Sequence, residues 1–153
     1  MIKLILAIYS VSSVQRLLDF IKTVYAYNIG VPVVIKPVGA AAQVGIPEAH
    51  KIAYKNGKPF IVLPDIKDLA EVVGLNEVFL VSEKGLSLDI GNLPLERAIA
   101  VVFHGGDEDF TRSEAQYGKP VWFKEIPPKL PPVAQVAVLL HHLSLVSLGT
   151  ALH

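Results

Sequence analysis

The sequence predicts an α/β fold in which a mostly parallel sheet carries helices on both faces. Three observations predict it. Apolar runs without polar alternation, at residues 3–9, 31–36 and 100–103, are the pattern of strands covered on both sides. Stretches of helical period separate such runs, so strands and helices alternate along the chain. The 153 residues also pass without an internal repeat, a low-complexity tract or a linker. That is the length of one domain with a core of its own, and a single unit over residues 1–153 is expected.

The elements follow in order. Residues 3–9 are the first strand. Ser12 or Ser13 can then cap a helix in which Val14, Leu17, Leu18, Ile21 and Val24 share one face, and Asn28-Ile29-Gly30 ends it. Residues 31–36 are the second strand. The segment PVGAAAQVGIPE reads as a loop into a helix around residues 48–55, which Asn56-Gly57 stops. A strand at 60–63, a helix at about 66–73 capped by Asp65 and a strand at 77–81 come next. Past Glu83-Lys84-Gly85 the pattern weakens, with a short helix expected at 95–98. Residues 100–103 and 121–124 are the last strands, and the last helix runs between Val133 and Leu148.

Composition narrows the function classes. Hydrophobic residues make up 52% of the chain and charged ones 18%, which is apolar for a soluble monomer. No apolar run reaches the roughly 18 residues that cross a bilayer, because Gln135, His141, His142 and two serines interrupt the last helix. A buried subunit interface, and no membrane, is the expectation. Fourteen basic residues balance 14 acidic ones, so a global pull toward polyanions is excluded while a local basic face is not. The absence of cysteine removes disulfides and thiolate metal sites and fits a cytoplasmic protein. The opening MIKLILAIYSV lacks a cleavage pattern and reads as a core strand, not a signal peptide.

Two loops leave neighbouring strand ends in the last third of the chain, where α/β proteins build small-molecule pockets. One is His104-Gly105-Gly106-Asp107-Glu108-Asp109. Its glycines allow a ligand close to the backbone N–H groups, and its acids can accept from hydroxyls or an amine. Asp107 and Asp109 offer oxygens to Mg2+ but set no octahedral constellation, so no metal site is assigned. The other loop holds four prolines in residues 126–132, either a rigid connector or a preformed wall for a planar ring. Arg16, roughly opposite the apolar stripe of the first helix, is a solvated charge or a group facing a phosphate or hydroxyl at the strand ends. The small residues of 39–45 form neither a P-loop nor GxGxxG and offer only room for a nucleotide. His141 and His142 are adjacent, so on a helix they point about 100° apart. There is no HExxH, no Gly-x-Ser-x-Gly and no Ser/His/Asp set.

Taken together, Arg16 before Asn28-Ile29-Gly30, the segment VVFHGGDEDFTRSE with Glu108 and Arg112, the run KEIPPKLPPVAQVAVLLHHL, and Ser82-Glu83-Lys84-Gly85 resemble the motifs of SpoU-type SPOUT RNA methyltransferases, in order and over nearly the whole chain. Val133-Ala134-Gln135-Val136 stands where that family has Ser-Leu-Asn, and Gly106 where it has an early Glu. The resemblance implies a minimal SPOUT-like member with a C-terminal trefoil knot and bound S-adenosylmethionine. The cofactor would be held by Val81, Ser82, Glu83, Gly85, Phe103, His104, Gly105, Gly106, Glu125, Ile126, Pro127 and Leu130. It implies methyl transfer to an RNA oxygen, a ribose 2′-hydroxyl of tRNA or rRNA, with Arg16 as the catalytic residue. It also implies a homodimer through the helix from Val133 to Leu148. Two alternatives stay open: a catalytically inactive relative that keeps the RNA or cofactor pocket, and an unknotted flavodoxin-like nucleotide-binding module.

Overall fold

A computed structural model describes residues 3–151, and the side chains of the last helix only as far as Val146. Met1 and Ile2 of the opening MIKLILAIYSV, and the Ser147 and Leu148 side chains of the expected interface, lie outside the described residues. The elements are β1 (Leu4–Tyr9), α1 (Val14–Tyr27), β2 (Val31–Ile35), α2 (Ile46–Asn56), β3 (Ile61–Leu63), α3 (Asp68–Glu71), β4 (Glu77–Leu88), β5 (Ile99–His104), α4 (Arg112–Ala115), β6 (Lys119–Phe123) and α5 (Pro132–Ala151). The sheet has six strands in the order β3-β2-β1-β5-β4-β6, and every paired neighbour is parallel. This is the α/β class expected. The order differs from the 2-1-3-4-5 of flavodoxin-like sheets.

The unbroken apolar runs exist because both faces of the sheet are covered. Leu6, Ile8, Val34, Val101, Phe103 and Phe123 point to one face, where they meet Leu17, Phe20, Ile21 and Val24 of α1 and Val136, Leu139, Leu140 and Leu143 of α5. Ile5, Ala7, Val33, Ile35, Leu80 and Val102 point to the other, beneath Ile66, Leu69 and Leu75. Part of the chain's apolar excess is therefore used inside it. Beyond that buried stripe, α5 exposes Leu145 and Val146. Among the described residues no helix is long and apolar enough to cross a membrane.

The caps act where the sequence placed them. Ser13 is the N-cap of α1, its hydroxyl accepting from Arg16 N–H at 3.1 Å, and Asn28 closes the helix in the left-handed region at φ 54°. Three expectations are corrected. The segment after β2 is not a loop: residues 41–45 are already helical and run straight into α2. Small side chains cause this, since a Cβ on Gly45 would meet Leu17 Cδ2 at 2.7 Å, so the segment packs on α1 instead of opening toward a nucleotide. The helix expected at 66–73 shrinks to α3, and Asp65 caps a turn by accepting from Ile66 N–H at 2.7 Å. No helix forms at 95–98; a single 3-10 turn sits earlier, at Ile90–Asn92.

The largest difference is β4. It does not turn away at residues 82–85 but continues to Leu88. Val81 and Leu86 both lie opposite Val121 of β6, so the four residues between them leave the ladder as a bulge. Bulges of this kind re-aim side chains beside functional sites.

Candidate functional site

The topology dictates where a ligand fits. The chain leaves β1 toward β2 and leaves β5 toward β6, on the opposite side of the sheet. Because β1 and β5 are neighbours, with Tyr9 opposite His104, their exit segments diverge and open a crevice at the carboxyl ends. A cavity of about 610 Å3 lies there, lined by Arg16, by Val81–Lys84 of the β4 bulge, by His104 and Gly106–Asp109, by Trp122, and by Lys129–Pro132 and Gln135 at the start of α5.

Each wall is fastened by side chains. The Arg16 guanidinium donates to Gly105 O at 2.6 Å, bridging α1 to the β5 exit. Gly105 is needed there because a Cβ would meet the Val11 backbone at 2.8 Å. Gly106 N–H donates to His104 Nδ1 at 3.0 Å, which assigns the imidazole proton to Nε2. The ring is held edge-on by Tyr9 and Phe110, with centroids 5.6 and 5.2 Å away. Ser82, buried on the bulge, donates to Asp109 Oδ2 at 2.9 Å and accepts from Lys84 N–H. On the third wall Trp122 Nε1 donates to Ile126 O, and Gln135 Nε2 donates to Leu130 O at 2.6 Å. Lys129, between Pro128 and Leu130, is held at φ 66°, strained backbone of the kind found at ligand sites.

Beneath the cavity floor, Tyr9 OH donates to Glu114 Oε2 at 2.5 Å. Burial, then the Glu114 carboxylate, push the Tyr9 phenol well above its ordinary value. Glu114 is partly buried, which alone would raise its pKa, but the hydrogen bonds from Tyr9 and Thr111 outweigh burial and hold it below 4.5. The same carboxylate completes the capping box of α4, since Thr111 N–H donates to Glu114 Oε1 and Glu114 N–H to Thr111 Oγ1. The acidic loop is thus anchored at both ends.

Of the residues named from sequence, Arg16, Val81, Ser82, Glu83, His104, Gly106 and Leu130 line the cavity. The others do not. Phe103 is fully buried in the core. Gly105 reaches the cavity only through its carbonyl on Arg16. Gly85 lies against the Pro120 and Val121 backbone of β6. The Glu125 carboxylate accepts from Ile90 N–H at 3.1 Å, Ile126 is buried, and Pro127 is outside the lining. The resemblance implies no role for the side chains of Lys84, Trp122, Lys129 or Gln135. Their signal was present but not decisive: a lysine beside the Ser82 turn, and a lysine within a proline-stiffened loop.

Comparison with known proteins separates fold from chemistry. By fold, the chain resembles the SpoU methyltransferase AviRb from Streptomyces viridochromogenes solved with AdoMet, at a TM-score of 0.72 and 10% identity over 96% of this chain and 61% of AviRb. The chain thus spans under two thirds of that protein. It also resembles a structure solved for 2-OH methylation of C/U34 on tRNA, with a TM-score of 0.69 and 14% identity over 92% and 93% of the two chains. Such identities show a shared SPOUT-type fold and nothing finer. By sequence, the chain is 33% identical over 145 residues, 93% of each chain, to the candidate type II restriction enzyme ApeKORF2002P of Aeropyrum pernix. It is 31% identical over 122 residues, 76% of this chain and 80% of the relative, to a second, MjaORF1200P of Methanocaldococcus jannaschii.

These relatives overturn the expectation of S-adenosylmethionine-dependent RNA methyl transfer. The resemblance that suggested it was carried by a shared backbone, and the motif departures at Gly106 and at Val133-Ala134-Gln135-Val136 fall within the segment that would have to perform it. A match to one family spans residues 39–142, which include every cavity-lining residue except Arg16. The chain belongs to that family, DUF2122, described as RecB-family nuclease.

Proposed function

We propose that this chain is an enzyme that cleaves nucleic-acid phosphodiesters in the cavity between the carboxyl ends of β1 and β5 and the bulge of β4. One observation carries the reading: three cations (Arg16, Lys84, Lys129) and four carboxylates (Glu83, Asp107, Glu108, Asp109) converge on a single cavity. Cations hold and neutralise a phosphodiester, and carboxylates take the proton of an attacking water. Arg16 is the best placed of the cations, because its bond to Gly105 O fixes one end of the guanidinium and leaves a planar fork suited to phosphate.

The carboxylates divide the work. Asp109 is already engaged, accepting from Ser82 and from Phe110 N–H, so it shapes the loop. Glu83, Asp107 and Glu108 are exposed on the cavity wall and are the groups able to accept a proton. Among the described residues no group of three His, Cys, Asp or Glu is placed to hold a metal ion, so the chain presents no ready-made protein cage. Mg2+ commonly takes one or two carboxylates and completes its shell with water and substrate phosphate oxygens. Asp107 and Glu108 fit that share, and an ion held there would polarise the phosphoryl oxygen. His104, donating from Nε2, is positioned to hydrogen-bond a phosphate or a leaving oxygen.

The test is incubation of the purified protein with plasmid DNA and with labelled single strands, with Mg2+ or Mn2+ and with EDTA. The expected result is metal-dependent cleavage that falls at least about a hundredfold in Asp107→Asn/Glu108→Gln. No cleavage of DNA or RNA with either ion would overturn the reading.

A second reading, S-adenosylmethionine as a ligand of the same cavity, is favoured by one observation: the fold neighbour AviRb was solved with AdoMet. Trp122, Leu130 and Pro131 supply an apolar wall on which a planar ring could rest. Calorimetry with S-adenosylmethionine or its demethylated product tests it. Saturable heat lost in a Leu130→Asp variant supports it, and no heat at millimolar ligand removes it.

A further inference from the structure

None of the residues lining the cavity belongs to α2, yet the C-terminal half of α2 and the turn after it carry a concentrated positive charge. Residues 50–58 hold one histidine and three lysines and no acid, in a chain with a net charge of zero. A shallow concavity along this face is lined by His50, Lys51, Tyr54, Gly57, Lys58 and Phe60, with Ala53 at its base. Tyr54 is 89% exposed, more than any other large hydrophobic among the described residues. A tyrosine ring left in water on a helix gains nothing for the fold.

The surroundings of Tyr54 are ordered. His50 lies one helical turn before it on the same face, its ring held edge-on against Phe60 at 4.9 Å. Lys58 is anchored at the rim, donating to Tyr25 O at 3.0 Å with its ammonium 5.4 Å over the Tyr25 ring. Lys51 and Lys55 form an adjacent row one turn apart. Lys51 pairs only with Glu48, at 3.2 Å and with 70% of its own side chain exposed, a surface pair of small worth that a phosphate can displace. An exposed ring flanked by a row of cations is the arrangement on which an unpaired base stacks while its backbone is neutralised.

We infer that this face of α2 binds single-stranded nucleic acid, with Tyr54 stacking on a base and Lys51, Lys55 and Lys58 holding the adjacent phosphates. The inference rests on the reading of the chain as a nucleic-acid enzyme and names a second contact for the same substrate, outside the cleavage cavity. Fluorescence anisotropy of a labelled single-stranded oligonucleotide, in EDTA so that no cleavage occurs, tests it. Tyr54→Ala should weaken binding roughly tenfold and Tyr54→Trp should restore it, while Lys51→Ala/Lys55→Ala should flatten the salt dependence by about one phosphate contact or more. Thermal melts should be unchanged, because these side chains are exposed. Failure of the wild-type protein to bind, unaltered binding by Tyr54→Ala, or equal competition by duplex would overturn it. Absence of cleavage under the earlier conditions bears on the cavity alone, and binding through Tyr54 would survive it.

Discussion

β5 and β4 run side by side into the same cavity but reach it differently. β5 is buried on both faces along its length and stops at His104; its exit is then pinned by Arg16, His104 and the Tyr9–Glu114 pair. β4 is buried only over its first half, and its second half is largely exposed as it passes the cavity and continues along β6. The difference teaches how the site is assembled. β5 supplies a fixed acidic loop, and β4 supplies Ser82, Glu83 and Lys84 from a bulge that the ladder does not hold. Asp107, Glu108 and Asp109 follow the pinned strand, and Glu83 and Lys84 sit on the bulge.

The contrast predicts a graded series of effects. Phe103→Ala, which empties a fully buried site on β5, should cost about 3–5 kcal/mol, seen as a fall in Tm of roughly 10 °C. Leu86→Ala on β4, 66% exposed, should change stability by less than about 0.5 kcal/mol; comparable losses would erase the distinction. Next, Gly105→Val forces a Cβ onto the Val11 backbone and should cost about 1–3 kcal/mol in chemical denaturation, with loss of any cavity activity. Arg16→Ala should cost about 1 kcal/mol through the lost bond to Gly105 O. It should reduce cleavage more than it reduces stability; a stability loss with full activity would make Arg16 merely structural.

The smallest effect concerns pH. Glu114 has a folded pKa held below 4.5, so its contribution is present above that value and is lost as pH falls through the folded one. Denaturation midpoints should drop on acidification below about pH 4.5, with that part of the slope absent in Glu114→Gln. An identical slope in the variant would show that the Tyr9–Glu114 bond is not what pins the loop.

The series also separates what could be read before folding from what could not. The buried strands were legible because a strand covered on both faces must be apolar at every position, as in residues 4–9 and 99–104. The Ser13 and Asn28 caps were legible because capping is local chemistry. The cavity was legible as two loops at strand exits, and Arg16 was named although its position on the helix favoured a solvated charge. Three features were not legible. The β4 bulge exists only because Val81 and Leu86 compete for Val121, a residue 35 or more positions away. The helical turn at residues 41–45 depends on Gly45 meeting Leu17. The family resemblance puts Phe103 and Glu125 at the cofactor, whereas packing turns Phe103 into the core and Ile90 N–H claims Glu125.

By itself, then, the sequence determined the α/β class, the succession of the six strands and the long helices α1, α2 and α5, and the chemistry available at the β5 exit, because periodicity, caps and side-chain types are properties of neighbours in the chain. Only the tertiary structure decided which residues share the cavity, since that depends on β5 inserting between β1 and β4 and on contacts far apart in the chain, such as Arg16 with Gly105 across 89 positions. Likeness of fold alone therefore assigns no activity, because a backbone arrangement fixes where a site can be and the side chains placed there fix what it can do.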